Sequence, residues 1–199
     1  NLNIPPIRVL NQAIPIVKSV EYIDKFNRKI EEKYKFKNFL VHLGGKGFIG
    51  ALENESYNIT FETYNKNISE LKNHFTIVPK ISESGLFKNN TYQKITETIS
   101  ENAVVTKGKR VYIEPVKTTT INFLENSRVE TDYIFDDFNN LTQSIENINQ
   151  GQQITRSTFQ YEQISSWVPS NLTIQNTSIT YNGDVFNEGA KLEYYTDGI

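Results

Sequence analysis

Apolar residues along this chain follow two rhythms, and the change between them predicts the elements. After Pro15, Ile16, Val20, Ile23, Phe26, Ile30 and Tyr34 recur at spacings of three and four. Lys18, Glu21, Lys25, Lys29 and Glu32 fall between them. That spacing predicts an amphipathic helix over 16–34, one face apolar and one charged, with Pro15 at its first turn. From residue 39 onward the period is two. Tyr57, Ile59, Phe61 and Thr63 alternate with Asn58, Thr60 and Glu62. Leu71, Phe75, Ile77 and Ile81 alternate with Lys72, His74, Thr76 and Lys80. Val111, Ile113 and Pro115 share a parity, and Ile174, Thr180 and Val185 lie in further short runs. Such runs, bounded by Gly, Asn, Pro and Ser, read as half-buried antiparallel strands. Gly108 and Gly183 suit turns, because glycine accepts positive φ without a Cβ clash. The polar stretch 139–153 (NNLTQSIENINQGQQ) reads as a long loop or a poorly packed element. No internal repeat is evident.

One helix followed by many strands, without strand–helix alternation, excludes a parallel doubly wound sheet. This bears on Gly45-Lys46-Gly47-Phe48-Ile49-Gly50, which fits the dinucleotide fingerprint G-x-G-x-x-G. That fingerprint needs a helix opening after its third glycine, with its N-terminus facing a pyrophosphate. Here Ala51 to Tyr57 lead into a strand. The glycines therefore read as a turn feeding the first long strand, with Gly50 placed where a neighbour comes close.

Composition narrows the function classes. The 199 residues carry 21 basic and 23 acidic side chains, net −2, and give no electrostatic footprint for nucleic acid. Without cysteine there are no disulfides, thiolate nucleophiles or zinc–thiolate sites. No apolar run is long enough to span a bilayer as a helix. The chain has no methionine and begins Asn1-Leu2-Asn3, which reads as a mature or trimmed product. Seven N-x-S/T triplets, at Asn54, Asn58, Asn67, Asn89, Asn140, Asn171 and Asn176, argue for an extracellular life. The two histidines, His42 and His74, are far apart on strands and read as hydrogen-bonded or surface residues. Asp132, Asp136 and Asp137 cluster, as in some calcium or hydrolase sites, but without a marked partner spacing they read as a solvated turn. No Ser-His-Asp set or phosphate loop is present, so neither catalysis nor a cofactor or metal is expected.

Residues 71–81 read as an amphipathic strand, Ser82-Glu83-Ser84-Gly85 as a turn, and 86–99 as a polar return. One account is an ordinary surface hairpin. The other is a hairpin that inserts into a membrane within a barrel built from several chains, apolar side to lipid and polar side to water.

Four stretches, in order, resemble the epsilon-toxin and mosquitocidal-toxin branch of the aerolysin-like β-pore-forming proteins. Residues 48–63 (FIGALENESYNITFET) are similar to a strand of that family with Gly50, Leu52 and Asn54 near its pattern, Leu52 one place early. Residues 75–87 (FTIVPKISESGLF) resemble its insertion hairpin, with Pro79 and Gly85 around the tip. Residues 103–123 (AVVTKGKRVYIEPVKTTTINF) resemble a turn and two strands, with Thr106 and Lys107 where the family has prolines. Residues 179–193 (ITYNGDVFNEGAKLE) resemble its closing strand pair. The helix before the first strand also fits the branch.

The resemblance implies a mainly β protein with one N-terminal amphipathic helix and an elongated body of long twisted antiparallel strands. Residues 1–47 would form a helix-containing, receptor-binding cap and 48–199 the pore-forming module, with the insertion hairpin at about 71–98. Such a protein is secreted, binds a target-cell membrane through a receptor, forms a homo-oligomer and inserts a shared barrel. Leu71, Phe75, Ile77, Ile81, Leu86 and Phe87 would be its inserting residues, and His74, Thr76 and Lys80 would line the lumen. Tyr34, Phe36 and Phe39 would meet the receptor, unless they are core. Two departures from the family stand out: the hairpin is short and less rich in Ser and Thr, and the chain ends soon after the closing strands. A non-lytic secreted binder of a glycan or protein, with the same fold, is the alternative.

Overall fold

A computed structural model describes residues 7–10, 16–45, 47–73, 76–89, 91–162 and 171–193. The protein is mainly β and antiparallel, and among the described residues there is no α-helix. Its strands are β1 (Ile7–Val9), β2 (Ser19–Ile23), β3 (Lys29–His42), β4 (Gly47–Asn58), β5 (Thr63–Asn73), β6 (Thr76–Lys88), β7 (Thr91–Lys107), β8 (Arg110–Asn122), β9 (Ser127–Phe135), β10 (Leu141–Ile148), β11 (Gln153–Glu162), β12 (Asn171–Tyr181) and β13 (Asp184–Lys191). Two compact units share them. The first is Asn1–Asn102 with Thr120–Asn126, and the second is Ala103–Thr119 with Ser127–Ile199.

In the first unit β1 and β2 both pair with β3, and β4 to β7 follow in chain order. Its core forms where β1, β3 and β4 meet. Ile7, Leu40 and Leu52 are buried there, with Val9, Ile49, Leu71 and Ile77 packed against them. Buried Tyr57 and Tyr64 pack against half-buried Phe87 and exposed Tyr92, with ring centroids 5.0 to 6.1 Å apart. In the second unit β9 to β13 form an antiparallel meander, each strand beside the next. Among the described residues every buried hydrophobic side chain belongs to the first unit, and the second buries only Thr119.

The expected helix over 16–34 is instead the hairpin β2–β3. Asp24 accounts for the difference. Its carboxylate accepts the backbone N–H of Phe26 and of Arg28, both at 2.9 Å, while Asn27 takes a left-handed φ of 60°. That turn lies in the middle of the supposed helix. The sequence behind it also alternates, with Ile30, Glu32, Tyr34 and Phe36 against Lys29, Glu31, Lys33, Lys35 and Lys37, and valine, isoleucine and aromatics favour strands.

Three further expectations are corrected. Residues 59–62 form a turn rather than the middle of a strand, with Asn58 Oδ1 accepting the Phe61 N–H at 2.9 Å. Ser82 to Gly85 lie inside β6. Ser82 and Ser84 are opposite Asn67 and Asn65 on β5 and opposite Thr98 and Thr96 on β7. The serines hydrogen-bond across the strands, Ser82 to Asn67 at 2.8 Å and Ser84 with Thr96 at 2.6 Å. The same polar groups that favour a turn in isolation are satisfied here by neighbours. Finally, residues 139–153 are not a long loop: they contain the short strand β10, paired on both sides, and a tight turn at 149–151, all three residues at positive φ, precedes β11.

The glycine motif is a hairpin turn. Residues 43–45 are the turn and β4 starts at Gly47, so a strand and not a helix follows Gly50. Gly50 takes φ +149°, and a Cβ there would meet only Ile77 Cδ1 at 3.4 Å. Backbone conformation therefore selects glycine at this position more than crowding does.

Candidate functional site

An apolar concavity lies on the first unit. It is a cleft of about 600 Å3, lined by Leu10, Ile16, Val17, Phe36, Phe39, Val41, Phe48, Ala51 and Asn54. The β3–β4 register builds it, since Phe36 is opposite Asn54, Phe39 opposite Ala51 and Val41 opposite Phe48. In a regular strand Phe36 and Phe39 would point to opposite faces. Asn38 resolves this with φ 56°, a conformation asparagine tolerates better than most residues. Gly50 stands at the β3–β4 register shift in the same region. The result puts Phe36 and Phe39 at 6.1 Å and Phe39 and Phe48 at 5.9 Å, with Leu40 and Leu52 buried in the core. One polar handle is present, Asn54, whose Oδ1 accepts from Asn67 Nδ2 at 3.0 Å.

Of the three expected receptor residues, the cleft gathers Phe36 and Phe39. Tyr34 is not among its lining residues, and its hydroxyl donates to Glu32 at 2.6 Å. That hydrogen bond first, then burial and the Glu32 charge, raises the Tyr34 pKa. Phe48 and Val17 were missed. Phe48 was hidden inside the glycine motif, and Val17 inside the supposed helix.

The expected hairpin residues are dispersed. His74 and Phe75 lie outside the described residues. Leu71 and Ile77 are opposite one another in the β5–β6 register and pack on the first core. Ile81 is half-buried between Ile68 and Ile99. Phe87 joins the tyrosine cluster, and Leu86 is exposed. Thr76 is half-buried and Lys80 is exposed, 3.9 Å from Glu70. Residues 82–85 are not the tip of the hairpin, since β6 runs on to Lys88 and β7 begins at Thr91.

Within the tyrosine cluster, Tyr57 donates to Glu55, its hydroxyl lies 3.0 Å from that of Tyr92, and Lys35 Nζ sits 4.7 Å from its ring centroid. Burial first, then the hydrogen bonds to Glu55 and Tyr92, holds this phenol well above its usual range. It stays protonated and acts as a structural donor. Asp136 likewise serves its turn, accepting the N–H groups of Phe138 and Asn140 at 2.8 Å and Asn140 Nδ2 at 2.9 Å. Among the described residues no group of three or more His, Asp or Glu side chains could hold a metal ion.

No family model, no curated protein and no solved structure matches this chain.

Proposed function

We propose that this chain is a secreted, membrane-acting protein of the aerolysin-like pore-forming type, which assembles with copies of itself and inserts strands of the β5–β7 region into a shared barrel. One observation supports this reading above the others: the second unit is a meander of five strands without a buried apolar side chain among its described residues. Its faces carry Ser144, Thr155, Ser157, Thr158, Thr177 and Ser178, among others, and its last strand, β13, is exposed at every residue. A sheet whose apolar side chains are only half-buried gains from further pairing, and closure into a barrel removes its open edge. The action is physical, with no bond made or broken.

A disulfide tests it cleanly, because the chain has no other cysteine. Asn67 and Ser82 are directly opposite on β5 and β6. In the Asn67→Cys/Ser82→Cys variant the oxidised protein should leave dye-loaded vesicles or susceptible cells intact, and adding a reductant should restore release together with an SDS-resistant oligomer. Release by the oxidised form equal to that of the parent would falsify the insertion of this hairpin.

The apolar cleft favours a second reading, a non-lytic binder of an apolar ligand. Such a protein would remain monomeric on membranes, release no dye, and take up a fluorescent fatty acid in a manner lost on Phe39→Asp.

A further inference from the structure

Three turns of the first unit share an unusual feature, which the Asp136 turn of the second unit repeats with Phe138. In each an Asp or Asn side chain accepts backbone N–H groups, and a large apolar residue is displayed to solvent. Asp24 accepts from Phe26 N, Asn58 from Phe61 N at 2.9 Å, and Asn122 from Leu124 N at 3.0 Å and Glu125 N at 3.2 Å. Turns ordinarily carry polar residues. Here Phe26 is 67% exposed, Leu124 64% and Phe61 47%. All three turns belong to the first unit and lie at the same end of its strands, because β3, β5 and β7 start there and β4, β6 and β8 end there. The first two meet directly: the Arg28 guanidinium lies 5.3 Å from the Phe26 centroid and 5.3 Å from that of Phe61. Adjacent strands bind the turns together, with Phe87 N donating to Glu62 O at 2.7 Å and Lys88 pairing with Glu62 at 3.0 Å.

We infer that this end of the first unit is a membrane-docking edge that takes a zwitterionic phospholipid surface, with Phe26, Phe61 and Leu124 entering the boundary between headgroups and acyl chains. The choice of a membrane as partner rests on the function proposed above. Charge selects the kind of membrane. The charges on these turns and next to or paired with them cancel, Lys25, Arg28, Lys29 and Lys88 against Glu21, Asp24, Glu62 and Glu125. Such an edge gains nothing from an anionic leaflet and relies on aromatic and apolar burial instead. Cations stacked on rings suit the headgroup zone, where one end of the group is wet and the other apolar. Pinning the turns before contact also reduces the entropy lost on docking.

Flotation of the full chain with pure phosphatidylcholine vesicles tests this edge. The parent should bind, and binding should change little when salt is raised or when phosphatidylserine is added. Phe26→Ser/Phe61→Ser/Leu124→Ser should lower the bound fraction at least about tenfold. Phe186→Ser, on the equally exposed β13, should bind as the parent does. Should the triple variant misfold by thermal melting, Phe26→Ser alone reads the same edge and should weaken binding severalfold. Failure of the parent to bind overturns the inference, as does parent-like binding by a folded variant or binding that needs anionic lipid and vanishes in salt. The two proposals fail separately. Dye release by a parent whose binding ignores these residues removes only the docking edge, and edge-dependent binding without release or oligomers removes only the pore.

Discussion

Asp136 and Asp24 show how much a single carboxylate can decide. The sequence repeats Asp-x-Phe-Asn at 24–27 and 136–139, and the geometry repeats with it, including left-handed asparagines at φ 60° and 69°. Burial pushes the Asp136 carboxyl up, but the side-chain and backbone hydrogen bonds of Asn140, the Phe138 N–H and the charge of Lys107 outweigh it and hold the group below the usual range. A depressed folded pKa contributes stability that is present above the unfolded value of about 3.9 and is lost as pH falls through the lower folded value. Asp136→Ala should therefore destabilise the protein by about 1–3 kcal/mol at neutral pH, since it removes three hydrogen bonds. The gap between parent and variant should close in thermal melts as pH drops below about 4. A gap that stays constant with pH would mean that the carboxylate's charge is irrelevant. The short motif was readable in the sequence, but its role was obscured at 24–27 because the apolar spacing around it mimics a helical face.

At the scale of elements, period-two alternation found β8 and parts of β4, β6, β12 and β13, but it read 71–81 as one strand where β5 ends at Asn73 and β6 begins at Thr76; glycines marked the β7–β8 and β12–β13 turns at Gly108 and Gly183, with φ +63° and +92°. What stayed illegible were strands made of turn-forming residues. Neither the Ser82–Gly85 part of β6 nor β10 has the local propensity of a strand; both exist because neighbours on each side satisfy their polar groups. Gly85 carries the sharpest consequence. It was read as a turn residue, yet it sits within β6 at a register shift opposite β7, without a positive φ. A Cβ built there would come within 2.1 Å of the Gln93 carbonyl oxygen and 2.8 Å of Tyr64 Cε1. Close approach of a neighbouring backbone, not a turn, selects this glycine. Gly85→Ala should cost about 1–3 kcal/mol or more through overpacking and should disturb the near-ultraviolet signal of the tyrosine cluster. An alanine variant that melts with the parent and keeps that signal would contradict the packing described.

For the whole molecule, the distribution of burial is the feature that alternation alone could not reveal, because a strand with one apolar and one polar face looks the same whether or not anything covers it. The first unit holds Ile7, Ile30, Leu40, Leu52, Tyr57, Tyr64 and Val78 out of water. Each such side chain contributes about 1.5–3 kcal/mol. The second unit has none fully buried among its described residues, so its ladder rests on half-buried side chains such as Ile145, Phe159 and Ile179, on hydrogen bonds whose net worth is small and on ion pairs such as Lys107–Glu114 and Lys117–Glu130, the latter at 3.2 Å. Local opening should therefore differ between the two. In native hydrogen exchange, amides of β11 and β12 should exchange at least about a hundredfold faster than those at the centre of β3 and β4, a gap equal to about two buried side chains. Equal protection would remove the contrast on which the assembly reading depends. Membranes extend the same experiment. If the second unit is completed by neighbouring copies, exchange in β11 to β13 should slow when vesicles are added and oligomers form, whereas a monomeric binder would leave these strands as open as before.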